Sequence, residues 1–296
     1  MDYRRLGHSG LLVSEVGLGA NNFGTRLDEA RGREVLHQAL DLGVTFIDTA
    51  DIYGKGASES LLGKLLGPRR QQVVLATKVG MAMSDSPYET GASRRWIAHS
   101  VEASLRRLDT DWIDLYQLHR PDPATPIDET LQALDDLVRA GKVRYAGYSN
   151  FAAWQLVDAD WTARTGHLAR PISAQDHYNL LTRDIERELL PACRTHGVGL
   201  VPYYPLESGI PGPPSGKADE YPIRAQVPRC TWPEFGGLRP KWLPGWLPGL
   251  LAPPCPGRGS GHLPTGRADC LAGHLVVGCP TRPLHGGQRV GQHSAE

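Results

Sequence analysis

What this 296-residue chain lacks narrows what it can be. No apolar run is long enough to span a bilayer, so no membrane partner is expected. The 32 basic residues balance the 32 acidic ones, which argues against nucleic acid or an acidic surface as partner. Residues 1–5 lack the apolar core of a secretory signal. The five cysteines show no Cys-x-x-Cys or Cys/His spacing, so neither a disulfide framework nor a metal site is expected. A soluble, cytoplasmic protein is the default these absences leave.

The average composition conceals a break. Residues 1–210 alternate apolar runs and amphipathic stretches. Residues 211–296 hold 15 Pro and 15 Gly, above the share that marks low complexity. They also hold Cys230, Cys255, Cys270 and Cys279 but a single isoleucine, Ile223. No window there pairs a strand run with an amphipathic helix. Two segments are therefore expected: an ordered 1–210 and a low-complexity, non-native or disordered tail over 211–296.

Along the first segment, residues 3–6 and 11–16 flank Gly7-His8-Ser9-Gly10 and predict a β-hairpin. Residues 17–20 predict a short strand leading into a small-residue loop. Asp28 is placed to cap a helix carrying Val35, Leu36, Ala39 and Leu40 on one side, stopped by Gly43. The run 44–47 reads as a strand ending at Asp48. Ser58 is a plausible N-cap for a helix closed by Gly67-Pro68. Further strands are expected at 73–78, 113–119, 143–150, 172–175 and 198–204. Helices are expected from Ser93 (stripe Ile97, Val101, Leu105, Leu108), from Asp128, from Trp154, and with Pro191 at a first helical position.

Strand and helix thus alternate six times at roughly 30-residue intervals, a pattern that demands parallel strands with helical crossovers. The strands finish in polar or aromatic residues: Asp48, Lys78, His119, Ser149-Asn150, Gln175 and Tyr203. A (β/α)8 barrel converges all such ends on one face. An open sheet would spread them along an edge, and the G-x-G-x-x-G fingerprint of such sheets is absent after the first strand. The expected class is α/β: a (β/α)8 barrel with an N-terminal β-hairpin, its last two βα units missing or replaced by an irregular Pro/Gly-rich tail.

Four of these positions carry chemistry together. Tyr53 sits on a glycine-flanked loop just after Asp48. A phenol is a weak acid, with an unperturbed pKa of about 10. The ammonium of Lys78 on the next strand is expected to lower it, with Asp48 holding Lys78 charged. His119 can donate to an oxygen near the phenol. Each residue singly has a plain structural explanation. Four at successive strand ends compose a site that protonates a carbonyl oxygen as charge develops on it.

These residues resemble the aldo-keto reductases, in their bacterial-style and potassium-channel β-subunit-like branch. The resemblance rests on Gly17-Leu18-Gly19, Asp48-Thr49-Ala50-Asp51-Ile52-Tyr53-Gly54, Ser58-Glu59, Ala76-Thr77-Lys78 and Asp114-Leu115-Tyr116-Gln117-Leu118-His119. It continues through Gly141 to Phe151, Gln175 with Tyr178-Asn179, and Tyr203-Tyr204-Pro205-Leu206, covering about the first 70% of the chain. It implies NADPH-dependent reduction of aldehydes or ketones, or the reverse oxidation, of a small-molecule substrate. Tyr53 would be the general acid, tuned by Asp48 and Lys78, and His119 would orient the carbonyl. Ser149, Asn150 and Gln175 would hold the nicotinamide carboxamide, Tyr203 would stack on its ring, and Gly19, Ala20 and Leu206 would complete the NADP(H) contacts. The alternatives are a non-catalytic cofactor-binding subunit or redox sensor, or an inactive truncated product.

The family continues with two more βα units and a late phosphate-gripping segment. Here the pattern dissolves after Ile210, and the expected origin is a reading-frame shift near codons 209–213 of a GC-rich gene. Disordered tails are usually poor in aromatics, whereas this one holds Trp232, Trp242 and Trp246. The barrel is expected to be left with raw strand edges.

Overall fold

A computed structural model describes residues 1–207 and the backbone of 274–277, all within one compact unit. Strands β1 (Tyr3–Arg5) and β2 (Leu12–Ser14) form the expected antiparallel hairpin, Tyr3 opposite Ser14. There follow β3 (Val16–Gly19), α1 (Glu29–Asp41), β4 (Phe46–Asp48), α2 (Ala57–Leu66), β5 (Val74–Val79), α3 (Arg94–Leu108) and β6 (Ile113–Leu118). Then come α4 (Ile127–Arg139), β7 (Val143–Ser149), α5 (Ala153–Thr165), β8 (Ser173–His177), α6 (Leu189–His196) and β9 (Gly199–Tyr203).

Strands β3 to β9 lie side by side in chain order, each parallel to the next. The sheet curls in the manner of a (β/α)8 barrel, as its alternation predicts. Among the described residues it contains seven parallel strands and six complete strand–helix pairs. The short strand expected at 17–20 is β3; it was left out of the six alternations, being four residues long and half glycine, yet it pairs Gly19 with Asp48 of β4 as a full member of the sheet.

The tail supplies a strand that the sequence reading did not foresee. β10 (His274–Val277) runs antiparallel along β3, Val277 opposite Val16, and its Cα atoms come within 8 Å of β9. The β3 edge is therefore covered rather than raw, although by a strand of reversed direction. The local sequence His-Leu-Val-Val is β-prone, but too short, between Gly273 and Gly278, to register as a strand. The remaining expectations for 211–296 lie outside the described residues.

Helix caps follow local chemistry. The Asp28 carboxylate accepts from Arg31 N at 2.9 Å and Ser93 Oγ from Trp96 N at 3.3 Å. The predicted stripe Ile97, Val101, Leu105 and Leu108 is buried against the sheet. Each such side chain is worth about 1.5–3 kcal/mol of burial. Pro191 lies third in α6 rather than first, still within the turn that needs no intrahelical N–H.

Alternation along the strands divides the barrel interior into two layers. Nearer the strand starts, Phe46, Ala76, Leu115 and Val201 pack with Leu6 and Val13 of the hairpin, which closes that mouth. Two residues further along the same strands stand Asp48, Lys78, Gln117 and Tyr203. The apolar layer is thus the floor under a polar one. At Gly147 of β7 a Cβ would sit 2.2 Å from Ser173 Oγ, so only glycine permits that close approach.

Candidate active site

The polar layer is built around a fully buried ammonium. Lys78 Nζ donates to Asp48 Oδ2 at 2.6 Å, to the Thr49 carbonyl at 2.8 Å and to the Tyr53 hydroxyl at 3.3 Å. Burial alone would push the lysine pKa down. The neighbouring Asp48 and Tyr53 outweigh it, and the net shift is upward. The other oxygen of Asp48 accepts from Gln117 Nε2 at 3.3 Å and Gln175 Nε2 at 3.1 Å. Neither a bare carboxylate nor a bare ammonium is left inside the barrel.

Tyr53 is held by a turn whose next three residues, Gly54, Lys55 and Gly56, all take positive φ. Gly56, at φ 91°, is the N-cap of α2, and a Cβ there would meet Arg107 Cδ at 2.6 Å. Ser58 therefore does not cap the helix as its sequence position suggests. It lies inside α2, and its hydroxyl donates to the Ala20 carbonyl at 2.7 Å while facing Thr49 Oγ1 at 2.7 Å. The left-handed glycine makes the turn, which frees the serine to tie the β3 loop to the Tyr53 loop.

Behind that loop is a second buried polar group. Glu59 accepts from Thr77 Oγ1 and from Arg107 Nε of α3, both at 2.7 Å. Asp51 is completely buried and accepts from Ser100 Oγ at 3.2 Å. Burial first, then the charge of Glu59, raise its pKa to about 7.

The electrostatics of the phenol differ from the sequence expectation. Lys78 does lower the Tyr53 pKa, but burial raises it more, and the net direction is up. The reason is desolvation, which sequence alone does not reveal. A protonated phenol is the form a general acid needs. His119 is pushed down to about 3 by burial, then by Lys78 and Arg120, so its imidazole is neutral at ordinary pH. The ring meets Tyr53 edge-on, centroids 5.8 Å apart, and its buried Nδ1 has no partner among the described residues.

A cavity of about 240 Å³ opens at the strand ends. Of the predicted site residues, Asp48, Tyr53 and His119 line it, as do Gly19, Ala20, Ser149, Asn150, Gln175 and Tyr203. Lys78 lies beneath, touching the cavity only through its partners. Leu206 does not line it and is 53% exposed. Asn150, at φ 59°, donates to the His119 carbonyl at 2.9 Å and accepts from the Tyr203 hydroxyl at 2.8 Å. That bond braces the aromatic ring of β9 against the end of β7, across the intervening β8.

Sequence reading passed over Asn21 and Tyr204, which also line the cavity, and Gln117, which braces Asp48. Gln117 was findable: it shares strand parity with inward-facing Leu115, where a polar residue needs a partner. The donor set suits a nicotinamide. Side-chain amides and a serine hydroxyl match a neutral carboxamide, Tyr203 offers a ring face, and the buried Asn21 Oδ1 at the rim lacks a partner among the described residues.

Comparison with known proteins agrees with this geometry. The sequence pattern of the "Aldo/keto reductase family" matches residues 15–215. The chain is 44% identical to the "Uncharacterized oxidoreductase YrpG" of Bacillus subtilis, over 74% of this chain and 69% of that protein. It is 42% identical to the "Aldo-keto reductase dtxS3" of Metarhizium robertsii, over 71% and 65% respectively. It is 39% identical to a "Probable voltage-gated potassium channel subunit beta" of Arabidopsis thaliana, again over 71% and 65%. The chain thus spans about two thirds of the length of these relatives. With its parallel barrel strands and its strand-end cavity, the chain belongs to the aldo/keto reductase family of oxidoreductases.

Proposed function

We propose that the protein is an NADPH-dependent reductase of aldehydes or ketones, running the reverse alcohol oxidation when the cofactor is oxidised. The observation that carries this reading is the chain Asp48–Lys78–Tyr53, with Nζ 2.6 Å from the carboxylate and 3.3 Å from the phenol, at the floor of a cavity edged by His119. The nicotinamide, when bound, supplies the hydride. The protein supplies the proton and the electrostatic setting.

In this reading the substrate carbonyl oxygen sits between Tyr53 and His119. Negative charge develops on it during reduction, and the phenol donates its proton there. The Lys78 ammonium stabilises the phenolate left behind, and Asp48 keeps that ammonium charged and aimed. The neutral imidazole of His119 donates a ring N–H to the same oxygen. Ser149, Asn150 and Gln175 hold the carboxamide, and Tyr203 flanks the ring. Preference for NADPH over NADH rests on the family resemblance, as does a cytoplasmic location.

The test is NADPH oxidation by the purified full chain against a panel of aldehydes and ketones. Turnover with any member supports the reading. A second reading, a cofactor-binding subunit without turnover, is favoured by the 39% identity to the plant protein named as a probable channel subunit. Tight NADPH binding with no turnover across the panel would select it. We also propose that the composition of 211–296 reflects a shifted reading frame. A family-like continuation in another frame around codon 210 of the gene would support that origin, and its absence would contradict it.

A further inference from the structure

His177 and Glu207 form a hydrogen-bonded pair beside the cavity to which the site chemistry assigns no role. In the β8–β9 register His177 stands directly opposite Tyr203. Side chains at paired positions of parallel strands lie side by side, and here the imidazole stacks on the phenol ring, centroids 5.3 Å apart and planes within 6°. Tyr203 lines the cavity and His177 does not, so the tyrosine is the layer between imidazole and cavity. His177 Nε2 lies 2.9 Å from Glu207 Oε2, and the Asn179 amide bonds both partners. Tyr204 meets the imidazole edge-on, centroids 5.7 Å apart. A further charged neighbour is Asp176, adjacent on β8, with one buried carboxylate oxygen unpartnered among the described residues.

We propose that the His177–Glu207 pair, acting through Tyr203, sets the relative affinity of the site for oxidised and reduced nicotinamide cofactor. This rests on the cofactor reading above. The oxidised nicotinamide ring carries a positive charge that the reduced ring lacks. With His177 neutral, the pair presents the single negative charge of Glu207 behind Tyr203 and favours the oxidised ring. Protonation of His177 cancels that charge and removes the preference. The preference therefore follows the protonation of His177 and depends on pH. Both side chains are about one third exposed, 32% and 29%, so solvent screens the effect. Across one stacked ring it amounts to roughly three- to ten-fold in relative affinity.

The test measures dissociation constants of NADP⁺ and NADPH on the full chain between pH 6 and 8.5. The 2′-phosphate is common to both ligands, so its own titration cancels in the ratio. The ratio of the oxidised to the reduced constant should rise a few-fold as pH falls, and His177→Gln should flatten it. Glu207→Gln should shift the ratio toward the reduced cofactor throughout. Asp176, whose carboxyl burial lifts to about 6, titrates in the same range, so Asp176→Asn must keep the slope. A flat wild-type ratio, or a slope abolished by Asp176→Asn and kept by His177→Gln, overturns the proposal while leaving cofactor binding intact. Failure of both nucleotides to bind overturns the cofactor reading and this inference with it.

Discussion

The side chains at the barrel mouth owe their identities to one physical problem, which is keeping an ammonium charged where water is excluded. Lys78 solves it with Asp48, and Asp48 with two glutamine amides. Replacing Lys78 with methionine should abolish turnover and move the Tyr53 titration further upward, because the one large influence lowering it is lost. A pH–rate profile that stays in place would show Lys78 to be structural only. A second residue-scale prediction concerns Asp51. Its folded pKa of about 7 lies above the ordinary 3.8, so the folded state binds that proton more tightly than the unfolded chain does. The stability this provides is complete below about pH 4 and is lost as pH rises to about 7. Asp51→Asn should therefore gain on the wild type as pH rises from about 4 to about 7, by about a few kcal/mol in chemical denaturation. A pH-independent difference would contradict it. Asp48, Tyr53, Lys78 and His119 were legible in the sequence because each falls at or just after the end of an apolar run. The upward shift of Tyr53 was not, because burial belongs to the assembled barrel.

At the scale of elements, the Tyr53 loop is clamped from behind by α3. Arg107 reaches over Gly56 to Glu59, and Glu59 in turn holds Thr77 one residue before Lys78. Glu59→Ala would strand a partly buried guanidinium, and loss of one partner from such a pair typically costs about 3–5 kcal/mol. Thermal denaturation should show a correspondingly lower Tm, and an unchanged Tm would show the clamp to be ornamental. Gly56→Ala should also destabilise, since the new Cβ both meets Arg107 and demands a positive φ. Most helices and strands were readable from periodicity. Ser58 was misplaced as a cap because its hydroxyl answers to Ala20 and Thr49, partners remote in sequence. β3 was under-read because two of its four residues are glycine, and its strand identity comes from β4 beside it.

Among the described residues, the parallel sheet ends at β3 on one side and β9 on the other, and β10 lies antiparallel against the first. Removing residues 208–296 would bare the β3 edge, and exposed edges template aggregation. Such a truncated chain should sediment as larger species than the full chain at equal concentration. An equally monodisperse truncated chain would show that β10 contributes nothing to edge protection. The barrel class was legible because six alternations leave few topologies open. The reversed strand was not, because four residues between Gly273 and Gly278 carry too little periodicity to be distinguished from a turn.

The central claim is that Tyr53 gives its proton to a substrate oxygen only as charge develops there. Steady-state turnover and NADPH dissociation, measured side by side for the wild type and Tyr53→Phe, test it most directly. The phenylalanine variant should bind NADPH with nearly the wild-type constant and lose about 10²- to 10⁴-fold in kcat, the usual worth of general acid catalysis. A variant retaining more than about a tenth of wild-type kcat would contradict the assignment.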